Sequence, residues 1–166
     1  MQAINHILGD PDYLACLWEN DRREQGRIYC RHDLQHMLDV ARLTYILLLE
    51  SGRLGNISRE RGREMVYAAG LLHDIGRWRQ YDGSGDHALA GAELAGPIML
   101  RAGFSPAEVE LVSRAVAEHR LGEEGASVLG RALARADDLS RDCYQCRVRE
   151  QCYKAGRMET AAGFLR

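Results

Sequence analysis

Apolar residues recur at three- and four-residue steps along almost the whole chain, and clean strand-like alternation is hardly found. That periodicity constrains the fold more than any other feature. It predicts an all-α bundle in which each segment buries one stripe against its neighbours. Asp10 and Pro11 read as a cap and first turn, opening an amphipathic segment whose apolar positions are Tyr13, Leu14, Leu17 and Trp18. "HDLQHMLDVARLTYILLLESG" predicts a helix from about His32 to Glu50, closed by Gly52. Its expected core stripe is Leu34, Leu38, Ala41, Tyr45 and Leu48.

Ser58 is placed to cap a third helix carrying Met65, Val66, Ala69 and Leu72. The glycines and aspartates of residues 76–86 predict a loop. In the next helix, Pro97 is expected to introduce a kink or a division. Ser105, Pro106 and Glu108 form a capping box with proline at the first helical position, starting a helix that reaches about His119. Another helix runs from near Ser127 to Asp137–Ser140, and a last one is expected from about Arg149 to Phe164. The total is six to seven helices.

With 166 residues, 46% hydrophobic and 28% charged, the chain reads as one soluble domain spanning 1–166. The formal charge is −2 and basic residues are scattered, so nothing points to nucleic acid or a membrane as partner. Small-molecule chemistry is the expectation, and self-association stays open. No apolar run approaches the ~18 residues of a membrane span, and the N-terminus lacks a basic then apolar leader pattern. A cytoplasmic location is therefore expected.

Against this background "GLLHDIGRW" stands out: an apolar helix end stops on His73 and Asp74, where a core would favour leucine. A single histidine in a helical protein is readily explained as a surface or hydrogen-bonded core residue. The set is another matter. His36, His73, Asp74, His87, His119 and Asp137 lie on different helical segments or their edges, so a bundle can aim all of them at one centre. Imidazoles suit divalent transition metals, and a carboxylate can bridge two ions. Six donors exceed the four that one structural zinc requires. Two metals sharing Asp74 would use them all and leave positions for water and substrate.

The order His36, His73-Asp74, Asp137 resembles the HD superfamily of metal-dependent phosphohydrolases, with "HMLDVAR", "LLHDIG" and "RADDLSR" as the matching contexts. His87 in "DHALAGAELA" and His119 in "AVAEHRLG" resemble the two extra histidines of its binuclear branch. The resemblance covers roughly Cys30 to Arg141. It implies an HD-type helical bundle and two divalent transition metals, with iron, manganese or cobalt ahead of magnesium. It also implies a nucleotide or other phosphate ester as substrate. The branch includes symmetrical dinucleoside tetraphosphate hydrolases and cyclic-dinucleotide phosphodiesterases. It also includes di-iron oxygenases of the myo-inositol oxygenase kind, so oxygenase chemistry and a non-catalytic nucleotide- or metal-sensing module stand as alternatives.

Many members carry lysine where this chain has Arg77, so a lysine's role does not transfer, although a guanidinium can hold phosphate bidentately. His32 lies one turn before His36 and competes for the first-ligand role. The "VAR" after His36 favours His36 and leaves His32 as a supporting or phosphate-contacting residue. Trp78 and Tyr81 could stack on a base with Arg79 toward phosphate, or merely pin the loop to the bundle. Arg120, beside His119, is a further phosphate candidate.

There are five cysteines, an odd number, and Cys143, Cys146 and Cys152 fall within ten residues, which suits metal ligands or reduced thiols better than disulfides. This tail, residues 143–166, resembles the cysteine-rich extension of clostridial-type HD proteins. Cys30 is the preferred fourth partner, from the expected nearness of its region to the closing helix, with Cys16 in reserve. A structural zinc and an iron–sulfur cluster both fit, as do simply buried thiols.

Overall fold

A computed structural model describes residues 1–54, 58–121 and 125–163, and among these residues there is no strand. Eight α-helices follow in order: α1 (Gln2–Gly9), α2 (Pro11–Glu24), α3 (Leu34–Glu50), α4 (Arg59–Leu72), α5 (Arg77–Tyr81), α6 (His87–Arg101), α7 (Pro106–Glu118) and α8 (Val128–Leu139). Most starts are locally encoded. The side chains of Asp10, Asp33, Ser58, Asp86, Ser105 and Ser127 each accept an amide hydrogen from the first turn that they precede. Such a cap contributes about 1 kcal/mol. Ser105 and Glu108 complete the reciprocal capping box. No helix among the described residues is long and apolar enough to cross a membrane.

The core joins α1, α2, α3, α4, α6, α7 and α8 through Ile7, Tyr13, Met37, Leu71, Ile98, Val116 and Leu133. Two glycines set its closest approaches. A Cβ on Gly70 would lie 2.5 Å from Ala41, so α3 and α4 can pack as they do only without a side chain there. A Cβ on Gly76 would lie 2.5 Å from the Gly91 amide and 2.6 Å from the His87 carbonyl, which is why a glycine must follow His73-Asp74-Ile75.

Several expectations change. α1, which has no side-chain cap, was not signalled by the sequence, and the loop of residues 76–86 contains α5. α6 runs unbroken through Pro97, an exposed residue that leaves one carbonyl of the preceding turn without its helical donor. The expected last helix is absent among the described residues. Instead, Cys143–Gln145, Arg149–Gln151, Ala155–Arg157 and Glu159–Ala161 form short 3-10 turns. Extended conformations at Cys146, Cys152 and Met158 break the run, and Phe164 lies outside the described residues.

Two core stripes are also rotated. On α3 the buried residues are His36, Met37, Val40, Ala41, Thr44 and Leu48, whereas Leu34 is 38% exposed and Leu38 and Tyr45 are half-buried. On α2 they are Tyr13, Cys16, Asn20 and Glu24, while Leu14 and Trp18 are exposed.

Candidate metal centre

Helix ends build the site. His36 lies in the first turn of α3, His73 caps the end of α4 and Asp74 follows it, and His87 opens α6. His119 caps the end of α7, and Asp137 lies in the last turn of α8. One ligand atom from each of His36, His73, Asp74 and Asp137 falls within 4.8 Å of the others, and the same holds for Asp74, His87 and His119. Asp74, fully buried, belongs to both groups. Its Oδ2 lies 3.2 Å from His73 Nε2 and 3.7 Å from His36 Nε2, while its Oδ1 lies 3.1 Å from His87 Nε2. Asp137 Oδ1 is 3.1 Å from His36 Nε2.

Each imidazole is held from behind. Nδ1 of His73 meets the Gly70 carbonyl at 2.7 Å and Nδ1 of His119 meets the Val116 carbonyl at 2.6 Å. Because a carbonyl can only accept, both Nδ1 atoms carry a hydrogen. His87 Nδ1 meets Gln80 Oε1 at 2.7 Å. His36 Nδ1 lies 3.1 Å from Ser140 Oγ, whose own hydrogen goes to the Asp137 carbonyl. In every case Nε2 is the inward atom, as required of a metal-binding imidazole oriented by its other nitrogen.

The electrostatics favour a cation. Both oxygens of Asp74 and Nε2 of His73 are buried without a hydrogen-bond partner, a costly arrangement that a coordinated ion would relieve. Burial opposes ionisation of Asp74, but His73 and Arg77 outweigh it and hold the carboxyl well below its usual range. Asp137 is similarly held down against burial by His36 and Arg141. Burial pushes His119 down to about 4, leaving it neutral with a lone pair to offer. His73 runs the other way: burial lowers its pKa, yet the Asp74 charge raises it further, and an ion there would displace that proton. The donor set fits a divalent transition metal.

Two arginines stand over these donors. Arg77 Nη2 lies 2.7 Å from His32 Nε2, and its Nε is 3.5 Å from Asp74 Oδ1. Arg141 Nη2 lies 2.7 Å from His36 Nε2 and 3.1 Å from Asp137 Oδ1. His32 joins the site, its Nε2 3.9 Å from Asp74 Oδ2, although it is in neither compact donor group. Glu24 holds it by accepting from His32 Nδ1, from the His32 amide and from the Tyr81 hydroxyl. Burial drives the His32 pKa down to about 4. Burial opposes ionisation of Glu24, yet these donors outweigh it and lower its pKa to about 2.

The other candidates are engaged by partners of their own. Trp78 donates its amide to Asn20, packs against the core and lies under the guanidinium of Arg23, so it pins α5 to α2. Arg79 pairs with Glu93 at 3.0 Å and Arg120 pairs with Asp86. Cys16 is buried in the core beside Trp78 and Arg79.

Glu24, Asn20, Gln80, Ser140 and Arg141 were missed as site residues. Asn20 donates to the Asp74 carbonyl at 2.9 Å and fixes the turn after α4. The available signal was polar residues continuing the buried 13-16-20-24 stripe of α2.

The HD domain family model matches residues 33–142. An uncharacterized protein of Clostridium beijerinckii is 31% identical over 152 residues, covering 92% of each chain. Ribonuclease Y of Oceanobacillus iheyensis is 33% identical over 112 residues, 68% of this chain and 18% of the relative. A bifunctional uridylyltransferase/uridylyl-removing enzyme of Bradyrhizobium diazoefficiens is 43% identical over 61 residues, 37% of this chain and 6% of the relative. The chain thus spans only a small part of the length of these two enzymes. No solved structure gives a significant match.

Proposed function

Because the chain belongs to the HD domain family, we propose that it is a metal-dependent phosphohydrolase acting on a nucleotide or another phosphate ester or anhydride. His36, His73, Asp74 and Asp137 would hold one divalent ion, and Asp74, His87 and His119 the second. The observation that carries this reading is a pair of compact donor groups sharing one fully buried carboxylate. When bound, two such ions supply an activated water near neutral pH and a clamp for the attacking and leaving oxygens. The nitrogen-rich donors suit iron, manganese or cobalt better than magnesium.

The chain's own groups orient and neutralise. The Nδ1 partners fix each ring, so Nε2 needs no reorientation to bind an ion. Arg77 and Arg141, whose guanidiniums already reach the donor cluster, would turn to phosphate oxygens and bind them bidentately. His32, braced by Glu24 and Tyr81, would stand beside that phosphate as a neutral hydrogen-bonding group.

The test is metal content of the purified chain, followed by phosphate release from a phosphodiester and a nucleotide panel with manganese, iron or cobalt. Two ions per chain with phosphate release are expected. Oxygen consumption without phosphate release would replace this reading with the di-iron oxygenase. Nucleotide binding without turnover under every metal would replace it with a sensor.

A further inference from the structure

Residues 143–163 hold no α-helix, only 3-10 turns of three residues each. Such turns have poor hydrogen-bond geometry and little intrinsic stability. Yet Cys143, Met158 and Thr160 are buried, so three points of the segment are seated against the protein. Its turns are pitched on the cysteines: the Cys146 amide donates to the Cys143 carbonyl, Arg149 to Cys146, and Cys152 to Arg149. Cys143 and Cys146 are thus the two ends of one turn.

Cys30 comes to this loop from the other end of the chain, clamped on both sides. The hydroxyl of its neighbour Tyr29 donates to the Gln151 carbonyl at 3.3 Å, next to Cys152. The carbonyl of its other neighbour, Arg31, accepts from Arg141 at 2.8 Å, two residues before Cys143. Arg141, Cys143, Cys146 and Cys152 are the groups that act electrostatically on the Cys30 thiol, so the four cysteines share one neighbourhood. None of them is in a disulfide.

We propose that Cys30, Cys143, Cys146 and Cys152 are the four thiolate ligands of a four-iron iron–sulfur cluster that fastens the carboxy-terminal segment to the bundle. The sulfurs are too spread for a closed single-ion site and favour the larger group. Around a tetrahedral zinc, with Zn–S of about 2.3 Å, four sulfurs sit roughly 3.8 Å apart. Among the described residues, no three cysteine sulfurs lie within 4.8 Å of one another. A four-iron cluster spreads its cysteines more widely, because each binds a different iron at a separate corner. The site is distinct from the histidine and aspartate centre and shares no donor with it.

The test is anaerobic purification of the full chain with measurement of acid-labile sulfide, iron, zinc and visible absorption. About four sulfides per chain and a brown colour are expected. Sulfide is the discriminating readout, because iron can also occupy the histidine centre. Cys30→Ser, at an exposed residue, and Cys152→Ser should each remove most of the sulfide and colour, while Cys16→Ser retains both. On the unmutated protein, native alkylation should spare Cys30, Cys146 and Cys152, which the protein itself does not bury. One zinc per chain without sulfide at these cysteines would overturn the cluster. Ready alkylation of those three thiols in sulfide-free protein would overturn the site itself.

Discussion

The two candidate donor clusters of this molecule are built in opposite ways. The histidine and aspartate donors sit on the ends of α3, α4, α6, α7 and α8, so the packing that buries Leu71, Val116 and Leu133 also fixes their positions. The cysteines sit on short turns and on the link between α2 and α3, with little apolar packing of their own. Donors delivered by a hydrophobic core stay in place whether or not an ion is bound, whereas donors on short turns depend on the ion to hold the chain. Arg141 joins the two regions, reaching His36 and Asp137 on one side and the Arg31 carbonyl on the other.

The largest effect is expected where both ion groups share a residue. Asp74→Ala should lower phosphate release by more than the about 10- to 100-fold that follows loss of an outer partner. Metal content should fall at both positions, while acid-labile sulfide stays unchanged. If only one ion is lost, Asp74 is not shared between the two groups, and the central feature of the comparison goes with it.

Emptying the cysteine site should separate fold from attachment. In Cys152→Ser, trypsin is expected to cut within the arginine- and lysine-bearing stretch of residues 147–157 several-fold faster than in the unmutated chain, with little change in far-UV helicity. Helicity should survive because that stretch holds none of the α-helices. A cooperative loss of helix on the same substitution would show that the tail is part of the bundle's stability, erasing the contrast drawn above.

Outer partners should have intermediate effects. Ser140→Ala removes the acceptor behind His36, and Glu24→Gln sets an amide against three donors. Each should reduce metal affinity or turnover about 10- to 100-fold. Unchanged kinetics for Glu24→Gln would remove His32 from the proposed phosphate site.

The same division explains what was legible in the sequence. Helix starts were, because Ser58, Ser105 and Ser127 act on amides three residues away, within the reach of local reading. The inward donors were, because their order along the chain follows a known pattern. Which face of α3 is buried was not: "LTYILLLE" is apolar on several sides, and only the need to aim His36 at Asp74 sets the rotation. Glu24 and Asn20 escaped because a buried polar residue on an otherwise apolar stripe looks like an interruption until its partner, from far along the chain, is known. The tail failed as a helix because Cys152 and Met158 take extended conformations inside the expected span, ending each turn after three residues.

The smallest effect should come from Arg79, and it draws the boundary of the site most sharply because Arg77 is only two residues away. One turn of α5 sends the two guanidiniums apart: Arg77 to His32 and the Asp74 carboxylate, Arg79 to Glu93 at 3.0 Å and to the face of Trp78 at 5.4 Å. Glu93 is 73% exposed, so that pair contributes at most about 1 kcal/mol to stability and is screened by salt. Arg79→Ala should therefore leave kcat and KM within about two-fold of the unmutated chain, while Arg77→Ala should raise KM or lower kcat by about ten-fold or more through loss of the proposed charged phosphate contact. Equal losses for the two would mean that substrate also covers the outer face of α5, past Trp78 toward Glu93.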